Sequence, residues 1–220
     1  LSLLCYDYHV TANSLVYLIV EITVLDTSAL EYGNNMPHAD AAFVPSGISK
    51  TEFWAHVHSQ LASLLEGQRN WVTNLANASS LIYSSLLACE AHFGAGNRAV
   101  NWCVEPAPSQ SSRLLLGPFC GKPACQLINV APGKARGVCA DAYLQRKTLL
   151  VPDVDAYPGH IACDGETKSE IVCPLILRHD GEETAIGVLD LDCLALSGFS
   201  EEDRAGLERI ALLVVDACDW

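Results

Sequence analysis

Residues 171–193 read Ile-Val-Cys-Pro-Leu-Ile-Leu-Arg-His-Asp-Gly-Glu-Glu-Thr-Ala-Ile-Gly-Val-Leu-Asp-Leu-Asp-Cys. Two apolar runs, Ile171 to Leu177 and Thr184 to Cys193, flank the polar His179-Asp180-Gly181-Glu182-Glu183. An Asp-Gly step suits the positive-φ positions of a tight hairpin turn, so the runs read as adjacent antiparallel strands. Alternation along the second run sends Ile186, Val188, Asp190 and Asp192 to one face, and Gly187, Leu189, Leu191 and Cys193 to the other. Two carboxylates on a strand that otherwise reads as buried are costly unless paired or facing a ligand. Taken alone, a strand end emerging into solvent at Asp190 is the simpler account. Glu170, opening the neighbouring strand, adds a third acid and shifts the balance toward a shared site.

Just before the hairpin, the loop from Pro152 to Ser169 carries Tyr157-Pro158-Gly159-His160-Ile161-Ala162-Cys163-Asp164. Cys163 sits among small and polar neighbours, where reactive rather than packing cysteines are found. Cys125 and Cys139 lie upstream in similarly glycine-containing surroundings, which suggests one attacking thiol and others that resolve. His160 could help Cys163 to ionise, but a loop histidine bonded to backbone is the plainer reading. A zinc site from Cys125, Cys139, Cys163 and His160 is the chemical competitor; no closely spaced Cys-x-x-Cys knuckle occurs, so no metal is expected. Cys173, Cys193 and Cys218 fall in apolar runs and read as small buried hydrophobes.

Further out, Ser49-Lys50-Thr51-Glu52 forms a capping box ahead of Phe53, Val57, Leu61 and Leu64, with a stop at Gly67. A second helix is predicted from about Asn70 to Phe93. Short strands follow at Ala99 to Val104, Arg113 to Phe119 and Gln126 to Val130, separated by Pro, Gly and Ser clusters. A short helix over Val138 to Arg146 leads to a strand at Thr148 to Val151, and a helix beginning at Ser200-Glu201-Glu202-Asp203 closes the chain. The pattern implies an α+β fold, a mostly antiparallel sheet with the N- and C-terminal helices packed on one face.

The 220 residues carry 13 Lys plus Arg against 26 Asp plus Glu, a formal net charge of −13. That balance argues against nucleic acid or an anionic membrane as partner. The apolar stretch from Leu15 to Leu25 is too short to span a bilayer. No Lys or Arg precedes Lys50, which argues against a secretory leader or a transit peptide, so the expected location is the cytoplasm. The single methionine is Met36. Residues 1–35 are therefore set apart as an N-terminal extension that a misassigned start would explain, ahead of one domain at 36–220.

With these residues in view, the chain resembles the GAF-type free methionine-(R)-sulfoxide reductases. The likeness runs from Met36 onward through Trp71-Val72-Thr73-Asn74-Leu75-Ala76-Asn77, Leu116-Gly117-Pro118-Phe119, Gly121-Lys122-Pro123-Ala124-Cys125, Gly137-Val138-Cys139, Val151 to Val172 and Gly187 to Cys193. It implies a GAF-like catalytic domain that reduces free L-methionine (R)-sulfoxide through a cysteine sulfenic acid and a disulfide. It further implies no bound cofactor, thioredoxin as the reductant fed by NADPH through thioredoxin reductase, and a homodimer. Carried over, Cys163 is the attacking thiolate, Cys139 the first resolving thiol and Cys125 a second partner. Glu170, Asp190 and Asp192 become pocket carboxylates and Trp102 an aromatic pocket wall.

The chain departs from the family pattern at Cys103-Val104-Glu105-Pro106, where a pocket tyrosine is replaced. It is also a few residues longer between Cys125 and Cys139. The alternative is a GAF-type small-molecule-binding or redox-sensing module without turnover.

Overall fold

The capping box opens the first helix in the computed structural model, which describes residues 43–93, 112–161 and 163–220 with the backbone of 100–104. The extension expected at 1–35 lies outside the described residues. Ser49 N–H donates to Glu52 Oε2 at 2.8 Å, starting α1 (Lys50–Leu65). Asn70 caps α2 (Trp71–Ala88) by accepting from Thr73 N–H at 3.1 Å. The single helix expected to Phe93 is interrupted at Cys89, whose non-helical backbone separates the short α3 (Glu90–Phe93).

Five more strands and a helix precede the hairpin: β1 (Val100–Val104), β2 (Arg113–Leu115), β3 (Phe119–Gly121), β4 (Leu127–Asn129), α4 (Val138–Gln145) and β5 (Leu149–Val151). The single strand expected over Arg113 to Phe119 is two strands. Gly117-Pro118 breaks the run, since proline removes a ladder donor and restricts the residue before it. β2 therefore pairs with β4 in a small separate sheet, and β3 joins the main one.

The hairpin itself is β6 (Ser169–His179) and β7 (Glu182–Cys193), joined by Asp180 and Gly181 at φ of 52° and 83°. Both values are left-handed, as the Asp-Gly reading requires. The main sheet runs β3-β1-β7-β6-β5 with every neighbour antiparallel. The closing helix is α5 (Glu201–Asp216).

Each face of the sheet has its own apolar core. On one side Phe53 and Leu61 of α1, Leu75 and Ile82 of α2, and Leu207 and Val214 of α5 pack with Ile171, Leu175, Leu189 and Leu191. On the other, Val138 and Ala142 of α4 pack with Val151, Val172 and Val188. This is the expected α+β arrangement with terminal helices on one face, and α4 covers the opposite one. Cys173, Cys193 and Cys218 are buried, as their apolar surroundings indicated.

Alternation fails at one residue. Ile186 packs with the terminal helices and not with Val188, because Leu175 pairs with Gly187 while Ile176 pairs with Ala185. Ile186 is thus the extra residue of a β-bulge. The bulge matters for what lies beyond it: Glu170 pairs with Asp192 and Val172 with Asp190. An unbulged ladder from the same turn would shift the pairing by one residue and put Glu170 on the wrong face relative to the two aspartates.

Candidate active site

The shifted register gathers Glu170, Asp190 and Asp192 on the face that α4 covers, 5%, 6% and 6% exposed. Three carboxyls there displace apolar side chains between Val172, Val188 and Val151. Gly137 (φ 87°) turns the chain into α4, and Cys139 in the first turn points down at the acids. The Cys139 thiol donates to Asp190 Oδ2 at 3.2 Å and lies 3.8 Å from Glu170 Oε1.

Burial decides the electrostatics. It is the largest cause pushing Glu170, Asp190 and Asp192 well above the ordinary carboxylate range, and repulsion within the group adds to it. Cys139 is likewise pushed well up, first by burial and then by Asp190 and Glu170. The positive end of α4 would favour a thiolate, but it acts against three nearby acids and complete desolvation. Burial and the neighbouring acids thus oppose ionisation of the thiol, and burial opposes ionisation of the acids themselves.

His160 has a side-chain partner that the sequence reading did not give it. Its Nε2 lies 3.3 Å from Glu170 Oε2, and burial lowers its pKa. Tyr157 in the same loop donates to Asp141 Oδ2 of α4 at 2.7 Å, tying the loop to the helix that carries Cys139.

Cys163 is joined to Cys125 in a disulfide with a Cα separation of 5.5 Å. That bond removes two of the four ligands of the zinc set considered from sequence. Beside it, Lys122 reaches Asp164 Oδ2 at 2.8 Å and also Glu166, which pins the Cys125 segment to the Cys163 loop.

A cavity of about 230 Å³ is lined by Cys125, Cys139, Cys163, Glu170, Asp190 and Asp192. The structure thus brings six of the seven expected site residues around one space. The seventh, Trp102, contributes backbone pairing to Asp192 and Gly121; its side chain lies outside the described residues. The longer stretch between Cys125 and Cys139 folds as β4 and a turn, and it leaves Cys139 against the acids. Arg136, which sequence reasoning missed, is the one Lys or Arg lining the cavity. It makes no ion pair among the described residues, and only its place before Gly137-Val138-Cys139 could have drawn attention to it. A larger groove of about 460 Å³ between Arg146, Arg178 and Arg204 contains none of these groups.

A protein-family model described as GAF domain matches residues 79–217. The chain is similar to the free methionine-R-sulfoxide reductase of Saccharomyces cerevisiae, 42% identical over 183 residues, covering 82% of this chain and 94% of that protein. With the free methionine-R-sulfoxide reductase of Escherichia coli it shares 35% identity, over 74% of this chain and 87% of the other. Its fold matches the X-ray structure of free methionine-R-sulfoxide reductase from Neisseria meningitidis in complex with its substrate. That match has a TM-score of 0.64 and 34% identity, covering 78% of this chain and 92% of the other.

Proposed function

Because the chain belongs to the GAF-domain free methionine-(R)-sulfoxide reductases, we propose that it reduces free L-methionine (R)-sulfoxide to methionine at this cavity. The observation that carries the reading is the Cys139 thiol held 3.2 Å from a buried carboxyl in a space that two further cysteines also line. Sulfoxide reduction needs a sulfur nucleophile and an acid on the sulfoxide oxygen, and burial shifts the acids here toward the protonated, proton-donating form.

The expected order of thiols puts Cys163 first. The geometry favours Cys139 instead, since it has both an acceptor for its own proton and an acid beside it. In this reading Asp190 takes the thiol proton as the Cys139 sulfur attacks the substrate sulfur, and Glu170 gives a proton to the sulfoxide oxygen. Oxygen passes to the cysteine as a sulfenic acid and methionine leaves. Cys163 attacks the sulfenic sulfur with loss of water, forming Cys139–Cys163. Cys125 then attacks Cys163, releasing Cys139 as a thiol and leaving the Cys125–Cys163 disulfide. An external dithiol, thioredoxin in this reading, supplies the two electrons that reopen it.

Selectivity for the free amino acid follows from opposed charges. The carboxylate group holds the substrate ammonium, and Arg136 faces its carboxylate; a peptide-bound methionine offers neither. The test is NADPH oxidation with thioredoxin and thioredoxin reductase, comparing free methionine (R)-sulfoxide with its (S) epimer and with an N-acetylated, amidated derivative. Turnover of the free (R) form alone supports the reading. Binding by calorimetry with no methionine formed would instead make the protein a ligand-binding or redox-sensing module.

A further inference from the structure

Sγ of Cys139 and one carboxylate oxygen each from Glu170 and Asp190 all lie within 4.8 Å of one another, and all three residues are buried. Sulfur to oxygen separations are 3.2 Å to Asp190 and 3.8 Å to Glu170. A tetrahedral zinc ion with one thiolate and two carboxylate ligands has sulfur–oxygen edges of about 3.5 Å. Both sulfur–oxygen edges are therefore already near the lengths such a site needs.

A second, independent feature points to a cation. Asp190 is 6% exposed, and its other oxygen, Oδ1, is buried; among the described residues no donor reaches it unless a proton is shared with the Glu170 carboxyl. An acceptor in that position is costly to leave unsatisfied. Asp192 adds a third carboxyl to the same cavity wall, whereas Arg136 pairs with none of the acids among the described residues. Outside the donor set, His160 Nε2 lies 3.3 Å from Glu170 Oε2, the outer-shell contact that orients a carboxylate ligand. All three residues line the cavity, which leaves space for a fourth ligand.

We propose that Cys139, Glu170 and Asp190 form a binding site for a soft divalent cation of the zinc class, which takes the place of the substrate ammonium group and withholds the Cys139 sulfur from attack. On binding, the thiol proton is released to solvent and a sulfur–metal bond forms, with no change of oxidation state. The cation is an inhibitor of the resting enzyme and not part of the chemistry. Mixed thiolate and carboxylate donors favour zinc or cobalt over magnesium or calcium. The binding claim stands on the geometry alone; the inhibition rests on the function proposed above.

The test uses the full chain with Cys125–Cys163 closed, so that Cys139 is the only thiol lining the cavity. Cobalt chloride is titrated in, and sulfur-to-cobalt charge-transfer absorption is read in the near ultraviolet. One equivalent of cobalt gives the band, zinc chloride abolishes it by displacement, and methionine sulfoxide weakens cobalt binding in proportion to its concentration. Cys139→Ser loses the band, and Asp190→Asn binds cobalt at least tenfold more weakly. Absence of the band in the wild-type protein overturns the proposal, as does a band that survives Cys139→Ser or, in protein that forms methionine from the sulfoxide, a band that ignores methionine sulfoxide. Methionine formation in metal-free assays is measured separately. Failure there with an intact cobalt band would count against the function and leave the metal site standing.

Discussion

The Cys139 sulfur lies 3.2 Å from Asp190 Oδ2, a thiol paired with an acid and not with a base. An attacking thiol is usually activated by a neighbouring cation, and here the neighbours oppose ionisation. In the proposed mechanism activation therefore coincides with attack, when the proton can move to Asp190. Cys139→Ser should lower methionine formation by at least about a thousandfold, the scale expected for loss of a covalent nucleophile. Cys163→Ser should still release one equivalent of methionine and then stop with a sulfenic acid on Cys139. Mass spectrometry after trapping with a sulfenic-acid reagent reads the position. A sulfenic acid on Cys163 in Cys139→Ser would reverse the assigned order.

Acids held above their ordinary range make stability depend on pH in a stated direction. Glu170, Asp190 and Asp192 are raised from reference values of 4.5, 3.8 and 3.8. Between those values and the raised ones, the folded chain keeps protons that the unfolded chain has lost. Their contribution is therefore full below the unfolded values and is lost as pH rises through the folded ones. Asp190→Asn keeps the side-chain shape and removes one of these titrations. The difference in melting temperature, variant minus wild type, should increase as pH rises from the ordinary aspartate value of 3.8 through the raised one. Calorimetry across that range with a flat or falling difference would refute the buried-acid account.

In the proposed reading, Arg136 and the carboxyl group, which line the same cavity, divide the recognition of a zwitterion between them. Arg136→Met keeps most of the stem and loses the charge. KM for free methionine (R)-sulfoxide should rise by about tenfold to a hundredfold, the range of one charge-assisted contact, with kcat changed far less. Methionine sulfoxide amide, which has no carboxylate to lose, should be nearly indifferent to the substitution. Equal losses on both substrates would remove Arg136 from recognition.

Much of this was legible from sequence because its signals are local. Asp180-Gly181 dictates a turn through backbone sterics, and a period of two carries Asp190 and Asp192 to one face. Ser49 and Glu52 mark a helix start through hydrogen bonds that span three residues. What escaped depends on distant partners. No residue type announces the bulge at Ile186, because it is fixed by how two strands pack between opposite helical layers, and without it Glu170 would not meet Asp192. His160 read as a loop residue because its partner, Glu170, comes into range only once the loop folds over α4. The disulfide between Cys125 and Cys163 closes across 38 residues, a pairing that three candidate thiols leave open.

Gly206 fixes how closely α5 approaches α1. A Cβ built there would stand 2.1 Å from Trp54 Cγ and 2.5 Å from Trp54 Cβ. The tryptophan cannot swing aside freely, since its Nε1 donates to the buried Asp203 Oδ1 at 2.9 Å. Asp203 is held in turn by Lys50 at 2.5 Å and by the Ser200 N–H at 2.7 Å. Alanine is the better helix former by about 1 kcal/mol, but overpacking against a fixed ring costs about 1–3 kcal/mol and more where backbone must shift. The clash wins. Gly206→Ala should therefore lower the melting temperature by about 2–8 °C for a domain of this size. The cavity lies across the sheet from this contact, so turnover per folded molecule should stay at the wild-type value. A melting temperature at or above wild type would mean that the two helices can separate without cost.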